Sequence, residues 1–332
     1  MKVIITNLPS FYKINLYNAI NKHCKVLVIY TGDGADGRNN DFYRGTMEFE
    51  HIFLQRNRLT RIIELCKILW FNKYVELIIG GWDSIPMWVS AFCSSKKKNS
   101  IVIESSYLES STEGFKGFLK RLFISRISKV YASGKAQRKI TDSLRFRGKT
   151  IITKGVGVFN YIKQPEYKPR SDVKNFLFVG RLIHVKNLEY LVSKFNNHPD
   201  LRLTIIGFGE LEQRLKTIAK PNIEFLGAID NNKLSTYYQA ADVFILPSTS
   251  EPWGLVVEEA LNNGTPVMVS DKVGCAEEII NNDNGVIFSI EADNFDEKLS
   301  EIRDIERYNS MRKHISTMDF ERIEQQQVEC YL

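Results

Sequence analysis

Two carboxylates eight residues apart, Glu251 and Glu259, flank a glycine in the run Ser248-Thr249-Ser250-Glu251-Pro252-Trp253-Gly254-Leu255-Val256-Val257-Glu258-Glu259-Ala260. An apolar stretch ending in Leu246-Pro247 precedes the run. Asn263-Gly264-Thr265-Pro266-Val267 follows it as a helix stop and a new strand. A helix starting at Gly254 leaves the N–H groups of Gly254, Leu255 and Val256 without intrahelical acceptors, and such a helix end attracts phosphate through those donors and its dipole. Glycine lets a ligand approach closely. Phosphate would repel both acids, and as acceptors only they suit hydroxyl groups. At a rise of about 1.5 Å per helical residue they lie up to about 12 Å apart, the reach from a ribose to a hexose across a diphosphate. Taken singly, Glu259 reads equally well as an acid that stabilises a helix dipole; the complete strand–Glu–Gly–Glu-Ala–Gly-x-Pro unit does not.

A second constellation, Phe178-Val179-Gly180-Arg181-Leu182-Ile183-His184-Val185-Lys186-Asn187-Leu188, sets two cations five residues apart where a strand gives way to a helix. Arg181 offers a planar fork and Lys186 a point charge, a pair able to hold a diphosphate; the plain alternative is two solvated surface cations. A third, Ile205-Ile206-Gly207-Phe208-Gly209-Glu210-Leu211, is a strand entering a glycine turn. The full GxGxxG is absent because position 212 is Glu, and no acid stands out about twenty residues on for a nicotinamide-cofactor ribose, which argues against a dehydrogenase.

These motifs need strand ends to carry them. Short apolar runs at 3–6, 26–30, 52–54, 77–79, 101–103, 130–132 and 150–152 alternate with stretches of period near 3.6, such as 59–71 and 115–127. Strand and helix in alternation predict parallel strands with crossover helices. The pattern lapses over 161–172, which holds Pro165, Pro169 and several charges and reads as a linker. Strands resume at 176–179, 203–206, 223–226, 243–246, 266–269 and 286–288, and the polar remainder, 294–332, is helical in tendency. The expected class is α/β, with two Rossmann-like doubly wound domains facing across a cleft: an N-terminal domain over 1–165, a C-terminal domain over 173–310, and a helical segment over 311–332 packing back toward the first. Open parallel sheets bind ligands at the carboxyl ends of their strands, so the chemistry belongs in the loops there.

The ordered set Gly180-Arg181-Leu182…Lys186-Asn187, Gly207-Phe208-Gly209, Phe225-Leu226-Gly227, Glu251-x7-Glu259-Ala260 and Gly264-Thr265-Pro266-Val267 resembles the retaining GT-B glycosyltransferases of family 4, the "glycosyl transferases group 1". The likeness covers roughly residues 174–290. It implies that Arg181 and Lys186 hold the donor diphosphate with Gly254, Leu255 and Val256. It further implies Glu251 at the donor sugar, Glu259 at the ribose, Gly207 and Gly209 along the donor site, and Gly227 and Ala228 at the base. It implies no metal and no other cofactor; Asp33-Gly34-Ala35-Asp36-Gly37, faintly like an acidic metal loop, reads as a turn. The N-terminal half matches through strand order and Ser133-Gly134-Lys135-Ala136-Gln137. Where many members carry a Gly-Gly loop, this chain has Asn7-Leu8-Pro9-Ser10-Phe11. Where many carry a histidine after the fifth strand, it has Glu104-Ser105-Ser106-Tyr107. Glu104 is the expected substitute for that catalytic contact, with Asp83 of Gly80-Gly81-Trp82-Asp83 second, each also readable as a polar residue at a strand end; Pro9, Ser10, Phe11 and Asp83 are expected on the acceptor side.

Charge divides the chain. Residues 1–170 hold 29 Lys and Arg against 13 Asp and Glu, a formal +16. Residues 171–332 hold 16 against 26, a formal −10. Lys116, Lys120, Arg121 and Arg126 surround a helix whose other side reads Phe115, Phe118, Leu119, Leu122, Phe123 and Ile127, the side expected to pack on its own sheet. Lys96-Lys97-Lys98 adds a basic patch. The basic half favours an anionic membrane surface. The expected activity is retaining transfer from a nucleotide-sugar, UDP-sugar favoured over GDP-sugar, to a glycan or lipid-diphosphate-linked acceptor. The pathway that the resemblance implies is O-antigen, lipopolysaccharide or capsule polysaccharide synthesis. The rivals are an epimerase-like sugar-nucleotide enzyme of the same fold and a nucleic-acid-binding protein. The latter lacks an aromatic-basic module and leaves the paired glutamates unexplained. No run approaches the roughly 20 apolar residues of a membrane span, and Met1-Lys2-Val3-Ile4-Ile5 does not read as a signal peptide. The five scattered cysteines form no C-x-x-C pair and read as reduced thiols. The expected location is cytoplasmic, peripheral on the inner face of the membrane.

Overall fold

Val3, Ile4 and Ile5 are almost wholly shut off from solvent, which is why three successive apolar residues open the chain as a strand: in a parallel sheet covered on both faces, neither side of the strand needs to be polar. The computed structural model describes residues 1–32, 43, 45–55, 57–105 and 110–332. By contacts they fall into two units, Met1–Phe159 with Glu321–Leu332, and Asn160–Phe320.

The first unit runs β1 (Lys2–Thr6), α1 (Phe11–Asn21), β2 (Val26–Tyr30), β3 (Glu50–Phe53), α2 (Arg58–Phe71), β4 (Glu76–Ile79), α3 (Ile85–Cys93), β5 (Asn99–Ile103), α4 (Gly114–Ile124), β6 (Lys129–Ala132), α5 (Lys135–Ser143) and β7 (Lys149–Ile152). Its seven strands lie in the order β3-β2-β1-β4-β5-β6-β7, all neighbours parallel. Val3, Ile5, Leu77, Ile79, Ile101, Ile103 and Val130 of the sheet pack with Leu65, Met87 and Phe123 of the helices in one core.

The second unit runs β8 (Asn175–Val179), α6 (Leu188–Asn196), β9 (Arg202–Ile206), α7 (Glu212–Ile218), β10 (Ile223–Gly227), α8 (Leu234–Ala240), β11 (Val243–Leu246), α9 (Leu255–Asn262), β12 (Val267–Ser270), α10 (Ala276–Ile279), β13 (Gly285–Phe288), α11 (Phe295–Arg303) and α12 (Ile305–Ile315). Its order is β10-β9-β8-β11-β12-β13, again parallel throughout. In each sheet the order reverses beside the first strand, between β1 and β4 and between β8 and β11. Such reversal points are where open α/β sheets hold ligands.

The pattern-poor segment after residue 160 is tied down within the second unit. The Ile162 N–H donates to Asn262 Oδ1 at 3.0 Å, Gln164 Nε2 to the Ile315 carbonyl at 2.8 Å, and the Arg170 N–H to Asn309 Oδ1 at 2.8 Å. The contact division therefore falls at Phe159/Asn160, six residues before the expected boundary.

The last helix, α13 (Phe320–Glu329), brings the chain end to the first unit. Tyr331 stacks on Tyr131 with ring centroids 4.5 Å apart, and Lys2 donates to the Tyr331 carbonyl. Lys2 also meets Glu76 at 3.0 Å, where Lys129, the Tyr131 hydroxyl and the Ser100 hydroxyl converge on the same carboxylate. Burial alone raises the Glu76 carboxyl, but the hydrogen bonds from Lys129, Ser100 and Lys2 prevail and bring it down to about 2.

One expectation about packing holds only in part: Phe123 and Ile127 join the core, but the rest of that side does not. On α4, Phe123 and Ile124 are buried, yet Phe115 is 75% exposed, Phe118 59% and Leu122 43%. The sheet takes up only the narrow strip around Gly117, Phe123 and Ile124. Gly117 lies against the Thr112 carbonyl too closely for any Cβ, so the apolar arc is wider than the surface available to cover it.

Candidate functional site

In the second unit the loops leaving β8, β9 and β11 are laid on one another. The Leu182 N–H donates to the Phe208 carbonyl at 2.8 Å and the Leu211 N–H to the Leu182 carbonyl at 3.0 Å. Gly207 has φ +140°, and a Cβ there would stand 1.8 Å from the Gly180 carbonyl oxygen; one on Gly209 would stand 2.4 Å from that of Leu182. The paired glycines thus serve first to let one loop backbone lie against the other. The Thr249 N–H donates to the Val185 carbonyl at 2.9 Å, fastening the loop after β11 to the turn at His184–Lys186. That joint brings the Lys186 ammonium onto the Glu251 carboxylate as an ion pair, both side chains 14% exposed. Arg181 is exposed and, among the described residues, has no carboxylate partner.

The Glu251 segment is held from beneath. The Glu251 N–H donates to the Lys272 carbonyl, and the Gly274 and Cys275 N–H groups donate to the carbonyls of Glu251 and Trp253 at 2.9 and 3.0 Å. A Cβ on Gly274 would fall 1.9 Å from the Pro252 carbonyl oxygen. Gly254 then turns the chain at φ +95° as the N-cap of α9, a left-handed conformation that glycine adopts without strain. The first-turn amides of Leu255 and Val256 have no intrahelical acceptor, and both residues are only half-buried. Glu259 accepts a hydrogen bond from the Tyr238 hydroxyl at 3.0 Å. Burial, with Glu259 adding to it, raises the Tyr238 phenol well above its usual range, so it stays a donor. Gly227 ends β10 at φ +72°, its carbonyl accepting from the Gly207 N–H at 2.8 Å, and Ala228 beyond it is exposed. Arg181 and Lys186 thus lie in the connection after β8, Glu251 and Gly254 in the loop after β11, and Glu259 in α9 that follows it, β8 and β11 being the strands that flank the order reversal.

In the first unit, the loops after β1 and β4 meet through Asn7 Nδ2 and Asp83 Oδ2 at 2.8 Å, with the Thr31 hydroxyl 3.2 Å from Asn7 Oδ1. Pro9 is half-buried; Ser10 and Phe11 are buried at the start of α1. Glu104 is engaged in an ion pair with Lys13. Burial would lower the Lys13 ammonium, but Glu104 holds it above its ordinary value. The Glu104 carboxylate thus has a resident counter-ion. Residues 33–37, the acidic turn, lie outside the described residues, as do Ser106 and Tyr107. Among the described residues no group of three or more His, Cys, Asp or Glu side chains is placed to hold a metal ion.

Residues 162–317 match the family model for glycosyl transferases group 1. This second unit belongs to that family. An uncharacterized glycosyltransferase of Methanocaldococcus jannaschii is 36% identical over 125 residues, 35% of this chain and 32% of its own length. The O-antigen biosynthesis glycosyltransferase WbnH of Escherichia coli is 33% identical over 177 residues, 51% of this chain and 48% of its own. The matched stretch thus spans less than half of either relative. Anabaena HepE in complex with UDP and glucose superposes with a TM-score of 0.70 over 99% of this chain and 98% of that one, at 16% identity. That likeness extends to the first unit, and the fold is the α/β GT-B fold with two Rossmann-like units.

The group 1 unit contains a contact that spacing did not reveal. Trp253 is 2% exposed and Glu258 6%, and Trp253 Nε1 donates to Glu258 Oε2 at 2.7 Å. Burial pushes the Glu258 carboxyl up to about 8; the indole donor opposes this and Glu259 next to it adds to it. Five residues apart across a helix start, the pair follows no helical or strand period. Its only trace in the sequence is an acid at a helix position otherwise lined by apolar neighbours.

Proposed function

We propose that this chain is a retaining, metal-independent glycosyltransferase that moves a sugar from a nucleotide-sugar, UDP-sugar favoured over GDP-sugar, to a lipid-linked glycan in O-antigen, lipopolysaccharide or capsule assembly. The observation that carries this reading is the Lys186–Glu251 ion pair beside the amide-rich start of α9, with Glu259 farther along the same helix. In this reading the donor diphosphate lies against the first-turn amides, Lys186 and Arg181. Glu251 accepts from sugar hydroxyls, and Glu259, steadied by Tyr238, accepts from the ribose. As the bond from the anomeric carbon to the diphosphate oxygen breaks, charge builds where these cations stand, and a fixed donor of this kind is worth about 10²–10³ in kcat. The acceptor hydroxyl forms the new bond from the same face, and its proton passes to a diphosphate oxygen. WbnH, by its name a glycosyltransferase of O-antigen biosynthesis, and HepE, holding UDP and glucose, support the pathway and the donor.

No helix among the described residues is long and apolar enough to cross a membrane. The exposed aromatic side of α4, with the exposed Arg121 and Lys96-Lys97-Lys98, supports attachment of the first unit to the cytoplasmic face of an anionic membrane. Incubation with UDP-, GDP- and dTDP-sugars, with and without membrane lipid extract, tests the function. Release of nucleoside diphosphate that requires the extract, with sugar recovered in the lipid, supports it. Consumption of nucleotide-sugar to the same extent without any acceptor points to the epimerase-like alternative.

A further inference from the structure

Between α3 and α4 a cavity of about 430 Å³ is lined by Trp82, Ile85, Trp88, Lys116, Leu119 and Lys120. Its floor is apolar by construction. The Trp88 indole N–H is spent on the Trp82 carbonyl at 2.9 Å, and both rings stand edge-on to buried Phe123, at 5.0 and 6.3 Å. Its rim is cationic. Lys120 Nζ lies 5.2 Å from the Trp82 ring centroid, steadied by Ser110 Oγ at 2.5 Å and the Ser111 carbonyl at 2.8 Å. Among the described residues neither Lys116 nor Lys120 has a carboxylate partner. Burial lowers the Lys120 ammonium, and the nearby Lys116 cation adds to this. Outward from the cavity the surface stays apolar: Ile85 is 64% exposed, Phe115 75% and Phe118 59%. Inward, Trp82 adjoins Asp83, whose bond to Asn7 joins the loops after β1 and β4.

An apolar floor with two ammonium groups that have no carboxylate partner among the described residues, and an apolar track leading outward, is complementary to an amphiphile that carries its own negative charge. A nucleotide would leave most of its polar edges unmatched on this floor. A cavity of this size lies within the range that holds small ligands, enough for a diphosphate and the first units of a hydrocarbon chain. We propose that this cavity binds the lipid diphosphate of the acceptor, with Lys116 and Lys120 on the phosphates and the chain running across Trp88, Ile85 and the exposed phenylalanines. The inference rests on the reading of the chain as a transferase to a lipid-linked acceptor. It directs the sugar end of the acceptor toward Asp83 and Asn7.

The test is calorimetric titration of the full chain with farnesyl diphosphate, farnesol and inorganic pyrophosphate, with UDP titrated into the same preparations. The expected result is saturable binding of farnesyl diphosphate at least tenfold tighter than either half-ligand, and a further loss of tenfold or more in the Lys116→Ala/Lys120→Ala variant. UDP affinity in that variant should be unchanged, which also reports that it is folded. The single variant Lys116→Ala, at an exposed side chain, should show a loss on its own. Equal affinity for farnesol and farnesyl diphosphate, or unchanged affinity in the double variant, overturns the inference while leaving the donor reading intact if UDP still binds. So does binding to phosphatidylglycerol vesicles that depends on both lysines and that farnesyl diphosphate does not compete away; the face would then be a membrane anchor. Loss of UDP binding in the wild-type chain would instead strike at the function itself.

Discussion

Trp253 donates its indole N–H to the Glu258 carboxyl at 2.7 Å, so the residue just before the helix-starting glycine is tethered to the first turn of the helix it introduces. Trp253 is in turn held by the Cys275 N–H on its carbonyl. Glu258 lies between the indole and Glu259, and burial pushes the Cys275 thiol up as well, with Glu258 and Glu251 adding to it. The tether fixes where Gly254 turns and therefore where the α9 amides point.

Its protonation sets a pH dependence. The Glu258 carboxyl rises from 4.5 to about 8 on folding, so the folded state binds this proton more tightly than the unfolded chain does. The stability linked to it is greatest below about pH 4.5, declines as pH rises toward 8, and is constant beyond. Thermal melts from pH 5 to 9 should show a decline in the wild type, of the order of a few kcal/mol in all. The decline should be missing in Glu258→Gln, whose amide oxygen still accepts from the indole. Parallel curves for the two proteins would remove Glu258 as its source.

The Lys186–Glu251 pair predicts asymmetric effects. Lys186→Ala leaves a mostly buried carboxylate without its cation, so the melting temperature should fall together with activity, turnover by about 10²–10³. Turnover should suffer more than donor affinity because leaving-group charge is greatest in the transition state. Arg181→Ala removes an exposed cation and should lower turnover with little change in stability. Steady-state kinetics and melts on the same samples decide it; normal turnover in the folded double variant would remove both residues from the leaving-group site.

Within the first unit, Glu76 gathers Lys2, Lys129, Ser100 and Tyr131 near Tyr331. Its carboxyl is lowered from 4.5 to about 2 on folding. The stabilisation is therefore full above about pH 4.5 and is lost as pH falls toward 2. Glu76→Gln should melt several degrees lower than wild type at pH 7, with the gap closing on acidification. A gap of constant size across that range would show that packing, not charge, carries the contribution.

Much of this was legible in advance because parallel strands buried on both faces are written as unbroken apolar runs. Val26–Tyr30 and Val243–Leu246 begin and end where their runs do. Lys186 and Glu251 could be assigned to one site because each follows such a strand, although their direct contact depends on the Thr249–Val185 joint, which leaves no pattern. The outward face of α4 was misread because periodicity records which residues share a side, not whether the sheet is broad enough to cover them. Glu104 stands out as an acid at a strand end; that Lys13, in the first turn of α1, neutralises it depends on β1 and β5 lying either side of β4. The Trp253–Glu258 tether escaped because a five-residue spacing across a helix start belongs to no regular element.

The most direct measurement of the central claim is calorimetric titration of UDP, in the presence of EDTA, into the wild-type chain, Glu259→Ala and Arg181→Ala/Lys186→Ala. A lost hydrogen bond to a charged group is worth roughly 1.5–3 kcal/mol. Glu259→Ala should therefore bind UDP about ten- to a hundred-fold more weakly, and Tyr238→Phe should weaken it less. The double variant should lose affinity for UDP but not for uridine, which carries no phosphate. Wild-type chain that binds no nucleoside diphosphate in EDTA, or a Glu259→Ala variant indistinguishable from it, would contradict the account.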